Sequence, residues 1–560
     1  MVLVKNISDL LFWSVSRVFH PTFGTIGCNP NVYEHRIYVP WVRVMDFRYA
    51  LISVYDKEGI IDFSRELQKL GFRILSTGGT AAVLQKAGID FTDVSSVTGF
   101  PEMLDGRVKT LHPMIHAGIL ARRDKKDHQK TLKEHQIHLI DIVVCNLYPF
   151  ESTIQKPQVS IEEVIENIDI GGPTLIRAAA KNHQDVIVLT SSKQYPMVLA
   201  ALQTKQGVTQ KQREELAIHA YAHTAQYDAM IASYLRSRWT EEVLPEEFTV
   251  TMRKIQEMRY GENPHQKGAF YKGLPPTKEP CIATAEQLQG KELSFNNILD
   301  GNCAIECIKE FSEPSCVIIK HATPCGIASA KTLLQAWHDA YATDIYSPYG
   351  GIVAFNRDLE KEAALELSKY FLEVIIAPGF SNEARTILQS KKNLRLLRLP
   401  GLEKHQERKG LDIRSVVGGF LIQERDVWFA DQNTWKVVSV KKPTKDDLIS
   451  MDFAIHCVKH IKSNSVVFVK ETRTVGIGGG QTSRVDAAWI ATNKGKDNIR
   501  GSTMASDAFF PFRDAVDVAV NAGVKAIIQP GGSIRDAEVI QAADEHGIPM
   551  VFSGQRYFRH

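Results

Sequence analysis

Short β-branched runs alternate along the chain with loops marked by glycine and proline and then with amphipathic stretches, and this alternation constrains the fold more than any other feature. Tyr49-Ala50-Leu51-Ile52-Ser53-Val54 reads as a buried strand. Ile60, Ile61, Phe63, Leu67 and Leu70 recur at the helical period and stop at Gly71. Phe72 to Leu75, Ile142 to Leu147, Val317 to Ile319, Val466 to Lys470, Ala526 to Gln529 and Pro549 to Phe552 are further strands; the later ones repeat the strand, Gly-loop, helix design without repeating sequence. Strands alternating with helices predict an α/β fold. Open sheets of that class gather their chemistry where strands end.

The 560 residues give length for roughly three or four structural units. A hydrophobic share of 44% and a charged share of 23% are those of a soluble globular protein. A formal net charge of +3 gives no reason to expect nucleic acid or a membrane as partner. Eight scattered cysteines suit reduced thiols in a cytoplasmic enzyme, and Cys303 and Cys307 have the spacing of one helix face. No apolar run approaches the roughly 20 residues of a membrane span. Residues 1–44 are aromatic-rich without helical periodicity; Asp9 and Arg17 break a secretory pattern, so this is an extension of unknown status with Met45 a sensible start beyond it. Acidic turn signals from Thr240 to Glu247 set a boundary near 245, between one α/β unit at 45–245 and a larger one at 246–560.

The polar motifs sit at strand ends. Thr77-Gly78-Gly79-Thr80 opens a helix after a strand, where backbone N–H groups converge on an anion. Read as extended chain, Arg107 and Lys109 point the same way as a cationic pair; a solvated edge would look the same. His112 and His116 have helical metal spacing, but Pro113 intervenes and no third ligand is evident. Tyr148 ends a strand, Asp169 precedes Gly171-Gly172, and a helix then delivers Lys181. Together these could form an acid–base pocket for a phosphorylated ligand, although Asp169 could equally cap a helix and Tyr148 pack in the core. In the larger unit Lys320 and His321 end a strand and can serve one pocket only if the extended geometry breaks there. Gly476 to Gly480 fails the dinucleotide pattern because Gln481 stands in place of the third glycine. Phe509, Phe510 and Phe512 suit either a flat heterocycle or core packing, and the basic, aromatic end Arg556 to His560 follows a core strand closely enough to be held.

From about residue 47 to 560 the chain resembles the bifunctional purine biosynthesis proteins, which join phosphoribosylaminoimidazolecarboxamide (AICAR) formyltransferase to IMP cyclohydrolase. The likeness, closer to bacterial members, lies in GFPEMLDGRVKTLHP, CNLYPF, IDIGGPTLIRAAAKN, MRYGENPHQ, IKHATPCG, KSNSVV, GIGGGQTSR, SDAFFPFRD and the terminal YFRH. It implies an α/β, methylglyoxal-synthase-like first domain, then a cytidine-deaminase-like α/β region of two subdomains. It also implies formyl transfer from 10-formyltetrahydrofolate to AICAR, dehydrative closure of formyl-AICAR to IMP, and a cytoplasmic homodimer with formyltransferase sites at its interface. Zinc deaminases carry H-x-E or C-x-E and P-C-x-x-C; His321-Ala322-Thr323 and Pro324-Cys325-Gly326-Ile327-Ala328 lack the Glu and the second Cys, so no zinc is expected, while a monovalent cation is allowed. For formyl transfer the resemblance implies His321 as base, Lys320 as acid or oxyanion stabiliser and Asn464 on the transferring carbonyl. Arg259, Tyr260, Arg484, Phe509, Phe512, Asp514, Arg556 and Phe558 would bind substrate. For ring closure it implies Ser53, Lys57, Thr77, Gly78, Gly79, Thr80, Arg107, Thr110, Gly171 and Gly172 in binding, with Lys109, Tyr148, Asp169 and Lys181 in charge stabilisation and proton transfer. Two rivals are a lyase or regulatory nucleotide module built on the first domain alone, and a non-catalytic purine-nucleotide sensor. The larger second domain and the intact Lys320-His321 pair weigh against them.

Overall fold

A computed structural model describes residues 47–403, 408–427 and 431–560; the extension 1–44 and the start at Met45 lie outside the described residues. The first apolar run becomes β1 (Arg48–Ser53), the centre of a parallel sheet. Beside it lie β2 (Phe72–Ser76), β3 (Thr92–Asp93), β4 (Ile140–Cys145) and β5 (Ile187–Leu189), in the order β3-β2-β1-β4-β5. Ala50, Leu51 and Ile52 are fully buried because helices cover both faces of a parallel sheet. The winding reverses between β1 and β4, and a crevice opens there at the carboxyl ends of the strands. The thirty-residue helix Gln210–Trp239 closes this unit, burying Leu216, Ala220 and Tyr227 in the same core.

A hairpin follows, β6 (Thr251–Met258) and β7 (Gly268–Leu274). It touches both parts of the molecule: Leu274 packs in the first core, Phe270 against the next, and Arg253 pairs with Glu151 at 2.8 Å. Then come β8 (Glu286–Gln289), β9 (Ser315–Lys320), β10 (Thr323–Ser329), β11 (Gly351–Phe355), β12 (Leu372–Ala377) and β13 (Arg395–Arg398). A second, exposed hairpin, β14 (Leu411–Val416) and β15 (Gly419–Glu424), leads on to β16 (Lys436–Val437), β17 (Val466–Lys470), β18 (Arg473–Gly478), β19 (Thr503–Ser506), β20 (Ala526–Gln529) and β21 (Met550–Phe552). All but the two hairpins form one twelve-stranded sheet, β16-β21-β20-β19-β17-β18-β10-β9-β11-β12-β13-β8.

That order is a tandem duplication about its centre. Each half runs strand, helix, hairpin, helix, strand, helix, strand, helix, strand, and the halves join where β10 meets β18. Through the first helix and hairpin of each half, equivalent residues lie 150 positions apart, as Lys320 and Lys470 do at the ends of β9 and β17. The helices Phe295–Ile308 and Lys445–Val458 both begin with a capping box, Ser294 with Asn297 and Thr444 with Asp447. Gly326 and Gly476 occupy the same place, where a Cβ would collide with the carbonyl oxygen of Ala340 or Ala491 on the helix beneath. The repetition is therefore present in the sequence, both as shared spacing and as a short shared word, Ala304-Ile305-x-Cys307-x-Lys309 against Ala454-Ile455-x-Cys457-x-Lys459.

Both halves use their strands the same way. Val317 and Ile319 of β9 face the core the two halves share, and Cys316 and Ile318 face a core private to the first half. Val467 and Val469 face the shared core, and Val466 and Phe468 a core private to the second. A continuous apolar run is what a strand buried on both sides requires, and each such side chain contributes about 1.5–3 kcal/mol. Although a strand bounded by proline and glycine suggests a loop next, Pro324-Cys325-Gly326 lies in β10, with a register shift between Pro324 and Gly326 that accommodates the proline. Gly476 and Gly478 likewise lie in β18, not in a glycine-rich loop.

Candidate active sites

The crevice at β1, β2 and β4 encloses about 510 Å³. It is lined by Ser53, Lys57, Thr77, Gly78, Gly79, Thr80, Arg107, Lys109, Thr110, Tyr148, Asp169, Gly171 and Gly172. Lys181 is not among them. It stands exposed at the far end of the helix Gly171–Lys181, about 15 Å of helical rise from the crevice end.

Local structure explains how the rest converge. Thr77 precedes the helix Gly78–Lys86 without capping it, so the first-turn N–H groups remain available beside the crevice. The helix Gly171–Lys181 also points its start at the crevice; Ile170 does not cap it, and Asp169 accepts the Gly172 N–H there. Two helix N-termini at one pocket favour an anion. Thr80 belongs to the framework: its hydroxyl donates to the Val54 carbonyl at 2.9 Å and accepts the Val54 N–H at 3.1 Å, fixing the turn after β1. Asn146 holds the same turn by accepting the N–H groups of Tyr55 at 2.6 Å and Asp56 at 3.1 Å. Neither partnership is adjacent in sequence.

Arg107 and Lys109 line one cavity but are not a pair on an extended strand. Leu104–Gly106 is a helical turn, and each cation has its own carboxylate: Arg107 pairs with Glu166, and Lys109 with Glu102 at 2.9 Å. Separate counter-charges let two cations share a small volume. Lys57 donates to the carbonyls of Val54 and Tyr55, and burial pushes its ammonium below the ordinary lysine value despite Asp56 beside it. Burial raises the Asp169 carboxyl; hydrogen bonds from the backbone, including the Gly172 N–H at 2.8 Å, offset only part of this. Gly172 is a glycine by necessity, since a Cβ there would stand 2.5 Å from Asp169 Oδ2. Tyr148 is raised by burial and by Asp169. A carboxyl and a phenol pushed toward their neutral forms, facing cations and two helix N-termini, can exchange protons on a bound anionic substrate.

Tyr227, on the helix Gln210–Trp239, contributes more than packing. Its hydroxyl lies between the Asn167 carbonyl, to which it donates at 3.1 Å, and the Asp169 N–H, which it accepts at 2.8 Å. It therefore pins the turn that presents Asp169. The only sequence signal is a phenol where a phenylalanine would pack as well.

The second cavity, about 340 Å³, lies where the halves of the large sheet meet. Lys320, His321, Thr323, Cys325, Asp344 and Lys494 are among its lining. The expected break in extended geometry is present: His321 and Ala322 have φ of 53° and 55°, left-handed values that cost a non-glycine residue about 1–2 kcal/mol each. Lys320 donates its ammonium to the Tyr349 carbonyl, and His321 is exposed.

The remaining residues fall into two groups. Val466 pairs with Ser506 and Gly478, so Asn464, Asp507 and Phe509 gather at the end of the sheet that also carries the Lys320–His321 turn. Three strand spacings, about 14 Å, separate β17 from β9. The C-terminal segment is tied down here, by Tyr557 N–H to the Asp507 carbonyl at 2.8 Å and Ser463 N–H to the Arg559 carbonyl at 2.8 Å. Phe509, Phe512 and Phe558 are partly exposed, Phe510 is core, and Arg556 stacks on Phe558 at 4.4 Å. Asp514 opens a helix and accepts the Ala515 N–H. Arg484 belongs to the framework of this group. It is buried, paired with fully buried Asp507 at 2.7 Å, and donates to Asn464 Oδ1 at 2.7 Å and the Phe509 carbonyl at 3.1 Å. Within this chain it organises Asn464 and Asp507 and does not present a free guanidinium. Arg259 and Tyr260 form a second group, on the loop closing β6 and β7, with Arg259 exposed.

Among the described residues no group of three or more His, Cys, Asp or Glu could hold a metal ion, and no helix is long and apolar enough to cross a membrane.

A doubly wound parallel domain with an anion pocket, joined to a duplicated α/β region with a Lys-His turn, defines a two-site enzyme, and comparison with known proteins specifies its kind. Residues 59–174 match the model of the MGS-like domain, and residues 179–494 that of the AICARFT/IMPCHase bienzyme. Three relatives, all called bifunctional purine biosynthesis protein PurH, come from Acetivibrio thermocellus, Magnetococcus marinus and Persephonella marina. They are 51%, 50% and 50% identical, over 91%, 91% and 92% of this chain and 99%, 99% and 100% of their own. The chain belongs to the AICARFT/IMPCHase bienzyme family. It is a bifunctional AICAR formyltransferase and IMP cyclohydrolase, catalysing the last two steps of purine synthesis to IMP with a folate formyl donor.

Proposed function

We propose that the two reactions occupy the two cavities separately, ring closure at 45–245 and formyl transfer at 246–560. The observation that carries this reading is that every residue expected for ring closure except Lys181 lines one cavity, while Lys320 and His321 line another on a different sheet.

In formyl transfer the 5-amino group of AICAR is a weak nucleophile, its lone pair delocalised into the imidazole carboxamide. His321 takes the amine proton as the new C–N bond forms, and Lys320 protonates the departing folate nitrogen or steadies the oxyanion. Asn464 contributes Nδ2 to the transferring carbonyl by exchanging its present acceptors, the Gln481 and Thr482 carbonyls at 3.0 and 3.2 Å, while Arg484 keeps its Oδ1 in place. Arg556 and Arg259 bind the phosphate or carboxamide, and Tyr260, Phe509, Phe512, Asp514 and Phe558 border the rings. These residues fall in separate groups within one chain, which supports a homodimer whose partner completes the site.

In ring closure the carboxamide nitrogen attacks the formyl carbon and the formyl oxygen leaves as water. Thr77, Gly78, Gly79 and Lys57 cradle the phosphate, with Ser53, Thr110, Gly171 and Gly172 shaping the pocket. Arg107 and Lys109 stabilise developing negative charge, and Tyr148 and Asp169 transfer protons. Lys181 takes no part from within the same chain. We assign neither reaction to zinc, because the deaminase ligand set is incomplete and burial pushes the one thiol of that motif, Cys325, up to about 12. Neutral oxygens could still hold a monovalent cation. The enzyme works in the cytoplasm, consistent with its thiols.

The test is His321→Ala. Formyl transfer should fall about 10²–10⁴-fold, the usual loss for a positioned acid–base group. Wild-type turnover in that variant would remove His321 from the reaction.

A further inference from the structure

We infer that Asp300 is a positioning residue for formyl transfer, holding the His321–Ala322 turn in the backbone conformation that delivers Lys320 and His321 to one cavity. The inference rests on the reading of those two residues as the acid–base pair.

Three observations carry it. Asp300 accepts the His321 N–H through Oδ2 at 3.1 Å and the Ala322 N–H through Oδ1 at 2.7 Å, so one carboxylate clamps both central residues of the turn. Both residues have positive φ, the sign pattern of a type I′ turn, which is ordinarily built from Asn and Gly. Neither is available here, so the conformation needs support from outside the turn. The duplicated half supplies an internal control. Its turn joins β17 to β18 through Glu471 and Thr472, and the helix residue 150 positions beyond Asp300 is Ser450. Without a carboxylate at that place, only Glu471 has positive φ. The same fold with the clamp removed therefore makes a different turn.

The clamp is itself well founded. Asp300 lies on the helix Phe295–Ile308, whose start is locked by the Ser294–Asn297 capping box, and Asn297 is buried. Ala322 sits at the edge of the shared core, so the turn is fixed from both sides. Loss of the clamp should let the turn relax toward the sign pattern of the other half and carry the imidazole away from the cavity.

The experiment compares Asp300→Ala, Asp300→Ala with Ala322→Gly, Ala322→Gly alone and His321→Ala, each in the full-length protein. Both activities are measured separately, on AICAR with 10-formyltetrahydrofolate and on supplied formyl-AICAR. Displacing a reacting group by an ångström can cost roughly 10²-fold, so Asp300→Ala should lower formyl-transfer kcat by about that factor while KM changes little. Glycine takes positive φ freely, so adding Ala322→Gly should recover about tenfold of the loss, and ring closure should stay normal throughout. Ala322→Gly alone should transfer formyl normally. Wild-type formyl transfer by Asp300→Ala, or a loss that Ala322→Gly leaves unrepaired, would overturn the inference. Should Asp300→Ala fail to fold, Asp300→Asn, which keeps one acceptor oxygen, is judged by the same rescue. Normal formyl transfer by His321→Ala would instead defeat the underlying assignment, whatever Asp300 does.

Discussion

Tyr227 shows how far a single polar atom can matter at the residue scale. Its hydroxyl satisfies one donor and one acceptor in the turn before Asp169, and a hydrogen bond contributes about 0.5–1.5 kcal/mol net, more when its loss leaves buried partners unsatisfied. Tyr227→Phe keeps the ring contact with Phe150 and loses only that pin. Cyclohydrolase kcat should fall by roughly 3–10-fold with formyl transfer intact. Unchanged cyclisation, measured on supplied formyl-AICAR, would show that Asp169 needs no such support. Residues of this sort are hard to read from sequence because their partners are remote. Tyr227 acts on Asp169, Asp300 on His321, and Asp507 on Arg484. For Arg484, nothing local discloses the buried carboxylate of Asp507 as its partner.

At the scale of elements, strand ends were legible and connections were not. A β-branched run bounded by glycine and proline identifies a buried strand such as β9, but cannot tell a loop from a two-residue turn, so β10 was missed. The duplication is hard to read because packing tolerates one apolar residue for another, so that the matches at equal intervals are scattered: Ala304 and Ala454, Cys307 and Cys457, Lys320 and Lys470, Gly326 and Gly476, and the paired capping boxes. The hairpin of β14 and β15 is poorly covered. Val417 is fully exposed, and Phe420 and Leu421 are 68% and 64% exposed. A cluster of that kind marks an interface, and a second copy of this chain is the occupant the proposed homodimer supplies. Phe420→Asp with Leu421→Asp should lower the mass seen by sedimentation to that of a monomer and reduce formyl transfer more than ring closure. A dimer unchanged in mass would place the interface elsewhere.

At the scale of the whole molecule, a partly buried ion network ties the base of that hairpin to the body. Arg425 reaches Glu279 and Glu306, and Lys309 holds the same two carboxylates at 2.6 and 2.8 Å. Burial alone would raise Glu306, but Lys309 and Arg425 outweigh it and hold its carboxyl at about 2. A carboxyl lowered in the folded state stabilises fully above its unfolded value, about 4.3, and loses that contribution as pH falls toward 2. The thermal midpoint should therefore decline as pH drops from 5 to 3, and Arg425→Met should flatten the decline while lowering the midpoint at neutral pH. Parallel curves for the two proteins would mean that the network does not govern acid sensitivity.

Division of the two chemistries between two sheets is the claim on which the rest depends, and the most direct measurement is a crossed assay of His321→Ala and Lys109→Ala. Each purified variant is given AICAR with 10-formyltetrahydrofolate in one assay and formyl-AICAR in another, with folding and oligomeric state checked in both. His321→Ala should lose formyl transfer and retain ring closure; Lys109→Ala should retain formyl transfer and lose ring closure, in turnover more than in KM. Loss of formyl transfer in a folded Lys109→Ala, or of ring closure in a folded His321→Ala, would contradict the separation of the two sites.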